Sequence, residues 1–355
     1  MKIKTTEKIK VAIIFGGCST EYEVSLQSAY SVMTNINNEK YETILIAISR
    51  DGSWYLYNGD MANIPTNAWY KDKEHCIPVV ISSNRGAHKI LQFQNGAVNE
   101  IRIDIAFPVL HGKNGEDGTV QGLLELAGIP IVGCGTLASA LCMDKDRAHS
   151  LAALAGIKTP TGVVIDTALT EQEIMILTKD LTYPLFVKPI KAGSSFGITK
   201  VYDKMLLTEA VENAFLHDDQ VIVEENIEGF EVGCAVLGNH ELTIGEVDEI
   251  ELTEGFFDFT EKYTLKTSKI HMPARIATET AVRIKEAAAV IYRALGCSGF
   301  ARVDMFLTPD KEIIFNEVNT IPGFTSHSRY PNMMKGIGLQ FPDIVDKLIQ
   351  LGLKG

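Results

Sequence analysis

The sequence predicts an α/β fold divided into two or three domains, on three observations. The chain has 355 residues, more than one hydrophobic core usually serves. Apolar strand-like runs alternate with helical patterns through its first third. The strands end in glycine-rich turns, beginning with Gly16-Gly17 after VAIIF.

Taken in order, VAIIFGG reads as a buried strand. Leu26, Ala29 and Val32 give a helical pattern over residues 25–36. ETILIAIS and RIDIAFPVLHG read as further strands, and residues 120–128 as a helix closed by Gly128. Such alternation predicts a doubly wound sheet for the first unit, residues 1–128. A second unit, 129–227, opens with a helix over 138–155. It continues with strands around YPLFVKP and VIVEEN. The third, 228–355, holds a long loop from Glu254 to Pro273, a helix over 280–295, a β-hairpin and a terminal helix after Pro342.

Composition narrows the function. A formal net charge of −12 argues against broad binding to nucleic acid or anionic membrane. Any polyphosphate must be met by a local cationic cluster. The apolar run after MKIKTTEKIK is too short for a signal-peptide core, and no stretch approaches a membrane span, so a cytoplasmic protein is expected. The six cysteines show no C-x-x-C and lie mostly in apolar runs, which predicts buried thiols rather than disulfides or zinc ligands.

The densest chemistry lies in FARVDMFLTPDKEIIFNEVNTIPGF. Pro309 and Asp310 mark a turn between two strands. Residues i and i+2 share a face, so Arg302 pairs in direction with Asp304, and Glu317 with Asn319. With the tip at Asp310-Lys311, Arg302 falls opposite Asn319 and Asp304 opposite Glu317. Two carboxylates and an amide oxygen on one face suit Mg²⁺, with an arginine beside them to meet phosphate. A surface hairpin with a salt bridge is the plainer alternative. Four polar groups on one face of an apolar hairpin weigh against it. Pro322-Gly323 then makes a turn whose N–H groups can face a ligand.

Other candidates stand against the acidic background. GGCSTEYEVSL lacks the G-x-G-x-x-G of dinucleotide sites and places Glu21 and Glu23 at a helix start. Glu21 reads equally as an ammonium binder or a helix-dipole charge, and Glu23 as the latter. Lys188 ends LFVKP and leads into AGSSFG, a loop able to cover phosphate or simply a surface turn. Lys145, taken alone, reads as an exposed helix lysine. Lys262 and Tyr263 lie in a polar-aromatic loop of lid type, where Phe256, Phe257 and Phe259 are either core or a platform for a purine. His111, beside glycines, is a structural residue or part of a substrate loop.

Taken together, GGCSTEYEVSL, HGKNGEDGTVQG, MDKDRAH, VKP with AGSSFG, EKY, GFARVD and FNEVNTIPGFTSHS resemble the D-alanine:D-alanine ligases of the ATP-grasp superfamily over almost the whole chain. The resemblance is nearest to the D-alanine:D-serine ligases of the vancomycin-resistance branch, G type. It implies an ATP-grasp fold behind an N-terminal Rossmann-like domain, with ATP and two Mg²⁺ ions (or Mn²⁺) as cofactors. D-alanine and D-serine are the implied substrates, and a homodimer the implied assembly. It implies that Glu21 binds the ammonium of D-alanine, with Ser194 and Tyr263 linked to it. Lys145, Lys188 and Lys262 would hold phosphates, Glu224 and Glu231 would face adenine and ribose, and Phe256 would line the adenine pocket. Asp304, Glu317 and Asn319 would carry the metal, and Arg302 with the Gly323 N–H would meet the oxyanion. His111 would sit in the substrate loop, and Ser328 would contact the second substrate's carboxylate. Phe257 and Arg329 resemble the D-serine enzymes, where D-alanine-specific members carry tyrosine and an apolar residue. Glu225 departs from a lysine common in the adenine region. A plain D-alanine:D-alanine ligase, another ATP-grasp enzyme and a non-catalytic nucleotide binder are the rival readings.

Overall fold

The computed structural model describes residues 7–193, 196–252 and 268–354. The first unit is built on β1 (Ile9–Gly16), α1 (Tyr22–Asn35), β2 (Tyr41–Ile48), β3 (Trp54–Tyr57), β4 (Cys76–Ile81), β5 (Lys89–Gln94), β6 (Ala97–Arg102) and β7 (Ile105–Val109). These strands form one sheet of order β6-β5-β4-β3-β2-β1-β7. The parallel part is confined to β2-β1-β7, whose strands are apolar on both faces because helices cover them. From β3 to β6 the sheet is an antiparallel meander, so the doubly wound expectation holds only around β1. α2 (Thr119–Ala127) ends at Gly128, as its left-handed backbone requires.

The helix expected over 138–155 is two helices, α3 (Thr136–Met143) and α4 (Lys145–Leu154). Asp144 breaks the run. It takes an extended backbone and its carboxylate accepts the Arg147 N–H at 3.0 Å, capping α4. The break leaves Lys145 as the first residue of α4 and turns it inward, buried rather than exposed.

β8 (Gly162–Ile165), α5 (Glu171–Leu177), β9 (Leu185–Pro189), β10 (Thr199–Val201), α6 (Leu207–Phe215) and β11 (Val221–Glu225) follow. Their antiparallel sheet runs β10-β9-β11-β8. The third sheet, β14-β13-β12-β15-β16, comprises β12 (Phe230–Leu237), β13 (Thr243–Leu252), β14 (Ser268–His271), β15 (Phe300–Leu307) and β16 (Ile313–Asn319). Part of the loop expected from Glu254 to Pro273 is therefore strand β14, paired with β13. α7 (Thr278–Ala294) packs on this sheet. α8 (Arg329–Gly336) and α9 (Phe341–Lys354) return to the first unit. Ile344, Leu348 and Ile349 of α9 join Val11, Phe107 and Val32 in one core, and Tyr41 donates to Asp346 at 2.7 Å. Phe107, Phe300, Phe324 and Tyr330 stack edge to face across the junction. The first and third sheets are thereby locked together, with a cleft between them and the second sheet.

Candidate active site

The β15–β16 hairpin forms in the expected register, with Arg302 opposite Asn319 and Asp304 opposite Glu317. A bulge interrupts the pairing beyond Asp304, so Met305 faces Phe315. It leaves Asn316 unmatched in the ladder, and the Asn316 carbonyl instead accepts from His149 Nε2 at 2.8 Å. Strict alternation would put Phe315 on the face of Glu317. The bulge sends Phe315 into the core while Glu317 lines the cleft.

Arg302 grips Asp304 with Nε 2.9 Å from Oδ1 and Nη2 2.6 Å from Oδ2, and Asn319 Nδ2 donates to the same Oδ2 at 3.0 Å. Two carboxylates and an amide on one strand pair are hard oxygen donors. They fit a Mg²⁺ ion that keeps phosphate oxygens and waters as its other ligands. Among the described residues no three His, Cys, Asp or Glu side chains converge in a group that could hold a metal ion by itself.

A cavity of about 560 Å³ opens on one side of this hairpin. Glu21, His111, Lys145, Arg302, Glu317, Gly323, Ser328 and Arg329 all line it. Glu21 is the N-cap position of α1 without a side-chain cap bond; it is 8% exposed and faces the cavity. Glu23 points outward and pairs with Arg50. Gly112 has φ +71°, and a Cβ there would sit 2.6 Å from Glu21 Oε2, so glycine keeps room for that carboxylate. Ser328 occupies the N-cap position of α8 but makes no side-chain cap bond; its Oγ instead accepts the Thr325 N–H at 3.0 Å, beside the Gly323 turn.

A second cavity, about 550 Å³, lies between the second and third sheets. Lys145, Lys188, Glu224, Glu225, Glu231 and Glu317 are among its lining residues. Lys145 Nζ donates to the Ala192 carbonyl at 3.0 Å, tying α4 to the first residue of AGSSFG. Lys188 and Glu224 share a face of the β9–β11 pair and meet at 2.7 Å, and His149 Nδ1 lies 3.0 Å from the other Glu224 oxygen. Burial alone would raise the Glu224 carboxyl. Lys188 and His149 outweigh it and hold the group ionised below the usual carboxylate range. The structure thus gives Glu224 a part the resemblance did not imply, as the anion that orients Lys188 and His149.

Arg329 also differs from its expected form. Three of its nitrogens are engaged: Nε and Nη2 with Asp248 at 2.8 Å each, and Nη1 with Glu231 at 2.9 Å. Asp304 Oδ1 lies 3.3 Å from Nη1. Arg329 therefore reaches the cavity as a clamped group rather than a free fork. Gly233 of β12 makes the space, since a Cβ there would run into Arg329, Asp248 and Asp304. Asp248 and His149 were missed from sequence, because each sits in an unremarkable strand or helix far from its partner.

Glu116 was missed as well. It is buried in the first cavity and accepts from the Gly112 and Ile321 N–H groups at 2.8 and 3.2 Å. Burial, with Glu21 nearby, pushes its carboxyl up to about 8. His111 is buried too, which lowers its pKa and keeps the ring neutral. Ser194, Phe256, Phe257, Lys262 and Tyr263 lie outside the described residues. Of the cysteines, Cys134, Cys142, Cys234 and Cys297 are buried as expected, whereas Cys18 is exposed and Cys76 half-buried.

Two cavities that meet at Lys145 and Glu317, one of them framed by two antiparallel sheets, agree with the ATP-grasp ligase that the sequence resembles. Comparison with known proteins carries this further. The D-ala D-ala ligase N-terminus model matches residues 10–134 and the D-ala D-ala ligase C-terminus model matches residues 152–350. The chain belongs to the D-ala D-ala ligase family. It superposes on the VanG D-Ala:D-Ser ligase of Enterococcus faecalis with TM-score 0.91 and 62% identity, covering 98% of this chain and 100% of that one. It is 45% identical over 353 residues to the vancomycin/teicoplanin A-type resistance protein VanA of Enterococcus faecium, covering 98% and 99%. A D-alanine--D-alanine ligase of Caldicellulosiruptor bescii is 44% identical over 352 residues, covering 98% and 96%. Family membership implies ATP, a divalent cation and small amino-acid substrates. No helix among the described residues is long and apolar enough to cross a membrane.

Proposed function

We propose that this enzyme joins D-alanine to D-serine through a D-alanyl phosphate, supplying an altered peptidoglycan precursor of the kind that confers vancomycin resistance. The observation that carries the ligase chemistry is that Lys145 and Glu317 line both cavities, so a phosphoryl group held there is within reach of both a nucleotide and an amino acid. The D-serine assignment is supported by Arg329, polar and clamped by Asp248 next to Ser328, and by the VanG ligase as a relative. Normal D-alanine:D-alanine synthesis is the second reading, favoured by relatives such as the Caldicellulosiruptor bescii enzyme.

In this reading Glu21 holds the ammonium of D-alanine. The substrate carboxylate attacks the γ-phosphorus of ATP, giving D-alanyl phosphate and ADP. Lys145 and Lys188, with Lys262, neutralise the phosphates, and Glu231 faces the ribose. Phe256 lines the adenine pocket. Asp304, Glu317 and Asn319 would hold two Mg²⁺ ions, which supply charge neutralisation for the transferring phosphoryl group. Ser328, at a helix start, receives the carboxylate of the second substrate, and Phe257 borders it. That substrate's amine attacks the acyl carbon, and Arg302 with the Gly323 N–H meets the oxyanion that forms. Collapse expels phosphate and leaves the dipeptide. Ser194 and Tyr263 would link to Glu21 by hydrogen bonds and shape the substrate site, from which water must be excluded to protect the acyl phosphate.

The three units 1–128, 129–227 and 228–355 then serve as amino-acid lobe, nucleotide lid and metal lobe. We place the enzyme in the cytoplasm, where ATP is supplied, as a homodimer. The test is trapping. With ATP, Mg²⁺ and D-alanine, added hydroxylamine should yield D-alanine hydroxamate in step with ADP. ADP formed without D-alanine dependence, or with no hydroxamate, contradicts the acyl-phosphate route.

A further inference from the structure

The turn after β16 is gripped from the first unit. Ile321 donates its N–H to Glu116 Oε1 at 3.2 Å, and its carbonyl lies 2.9 Å from His111 Nδ1. Phe324 donates its N–H to Ser28 Oγ at 3.2 Å. Ser28 Oγ is in turn 3.1 Å from His111 Nε2, and Glu116 Oε2 accepts the Gly112 N–H at 2.8 Å. One proton arrangement satisfies the His111 and Ser28 part of the network. Neutral His111 carries its proton on Nδ1 for the Ile321 carbonyl, and the Ser28 hydroxyl donates to Nε2 while accepting from Phe324. All three side chains are buried, Ser28 completely. The grips fall at residues 321 and 324, so they bracket Pro322 and Gly323, and Gly323 lines the amino-acid cavity.

We propose that Ser28, His111 and Glu116 form a clamp that aims the Gly323 N–H at the developing oxyanion. This rests on the ligase reading above, in which that N–H meets the tetrahedral intermediate. The three are positioning residues, acting through the backbone of the turn. An oxyanion donor must lie within a few tenths of an ångström of its target distance, and a misplacement of about 1 Å costs on the order of 100-fold in rate. A turn attached only to its own hairpin would leave that aim to the flexing of Thr320 to Phe324. Gripping it from α1 and from the loop after β7 ties its position to the lobe that also holds Glu21.

The test uses the full-length enzyme. Glu116→Gln replaces one acceptor oxygen with an NH₂ that must face the N–H of Gly112 or Ile321. It should lower kcat by roughly 10- to 100-fold while leaving KM for ATP within about twofold. Affinity for a phosphinate analogue of the tetrahedral intermediate should fall by the same factor as kcat, which a merely structural residue would not produce. Ser28→Ala, at the opposite end, should give the same pattern more weakly, and the double variant less than the product of the two losses. If Glu116→Gln does not fold, Ser28→Ala decides alone. Unchanged kcat, or a loss that appears in the KM for ATP with analogue affinity intact, overturns the clamp while wild-type turnover stands. Absence of D-alanine-dependent phosphate release in the wild type overturns the ligase reading itself, and the clamp with it.

Discussion

In the β15–β16 hairpin, Arg302, Asp304, Glu317 and Asn319 converge because two strands pair across one turn. In the first unit, Ser28 and His111 meet across 83 positions, and Glu116 reaches Ile321 across 205. In the proposed mechanism the hairpin places charge where phosphate and oxyanion develop, so its residues are expected to act on the chemical step directly. The clamp places hydrogen-bonding groups against a backbone turn. Its residues are expected to act through geometry. One cleft thus combines a locally encoded charge site with a globally encoded aiming device.

The largest effect that would sharpen this contrast is at Glu317. Glu317→Gln keeps the shape and removes one charge from the hairpin, and should lower phosphate release by about 10²- to 10³-fold with the melting temperature unchanged. Near-wild-type turnover at ordinary Mg²⁺ would show that the hairpin is not the metal site.

Lys188 comes next, because it combines both kinds of role. Lys188→Ala should weaken ATP binding more than D-alanine binding. It also leaves Glu224 ionised and buried with His149 alone, which should destabilise the fold by roughly 3–5 kcal/mol. Lys188→Ala with Glu224→Gln should recover stability without recovering ATP affinity. Chemical denaturation alongside nucleotide titration separates the two. Glu224 also sets a pH dependence. Its carboxyl is held below its ordinary value of 4.5 in the folded protein, so its stabilisation is present above that pH and lost as the pH falls below it. Glu224→Gln should flatten the acid limb of a stability–pH curve. An unchanged limb would show that the pair contributes nothing there.

The hairpin and the β1–α1 start were legible because strand and helix periods put their polar residues on shared faces within a short stretch. The bulge that keeps Phe315 in the core was not, because it depends on what packs beneath the sheet. Lys145 was misjudged as exposed because one aspartate, Asp144, splits an otherwise continuous helical pattern. Asp248, His149 and Glu116 carry no local signature, since each is defined by a partner in another element. The antiparallel strands β3 to β6 lack the helices that announce a parallel sheet, and so fell outside the α/β pattern.

A smaller effect is expected at Arg329. Arg329→Lys keeps the charge among Asp248, Glu231 and Asp304 but loses the planar fork. The preference for D-serine over D-alanine at the second site should fall about tenfold, with the fold retained. An unchanged ratio of kcat/KM would remove Arg329 from the specificity argument and leave its role structural.

The most direct test of the account is product formation from mixed substrates. The enzyme is supplied with ATP, Mg²⁺ and D-alanine, with and without equimolar D-serine, and phosphate release and dipeptide mass are followed together. The account predicts that D-serine raises phosphate release and that D-alanyl-D-serine exceeds D-alanyl-D-alanine by about tenfold or more, as a site built to hydrogen-bond a hydroxyl requires. D-alanyl-D-alanine as the main product in the presence of D-serine would contradict it and make this an ordinary D-alanine:D-alanine ligase.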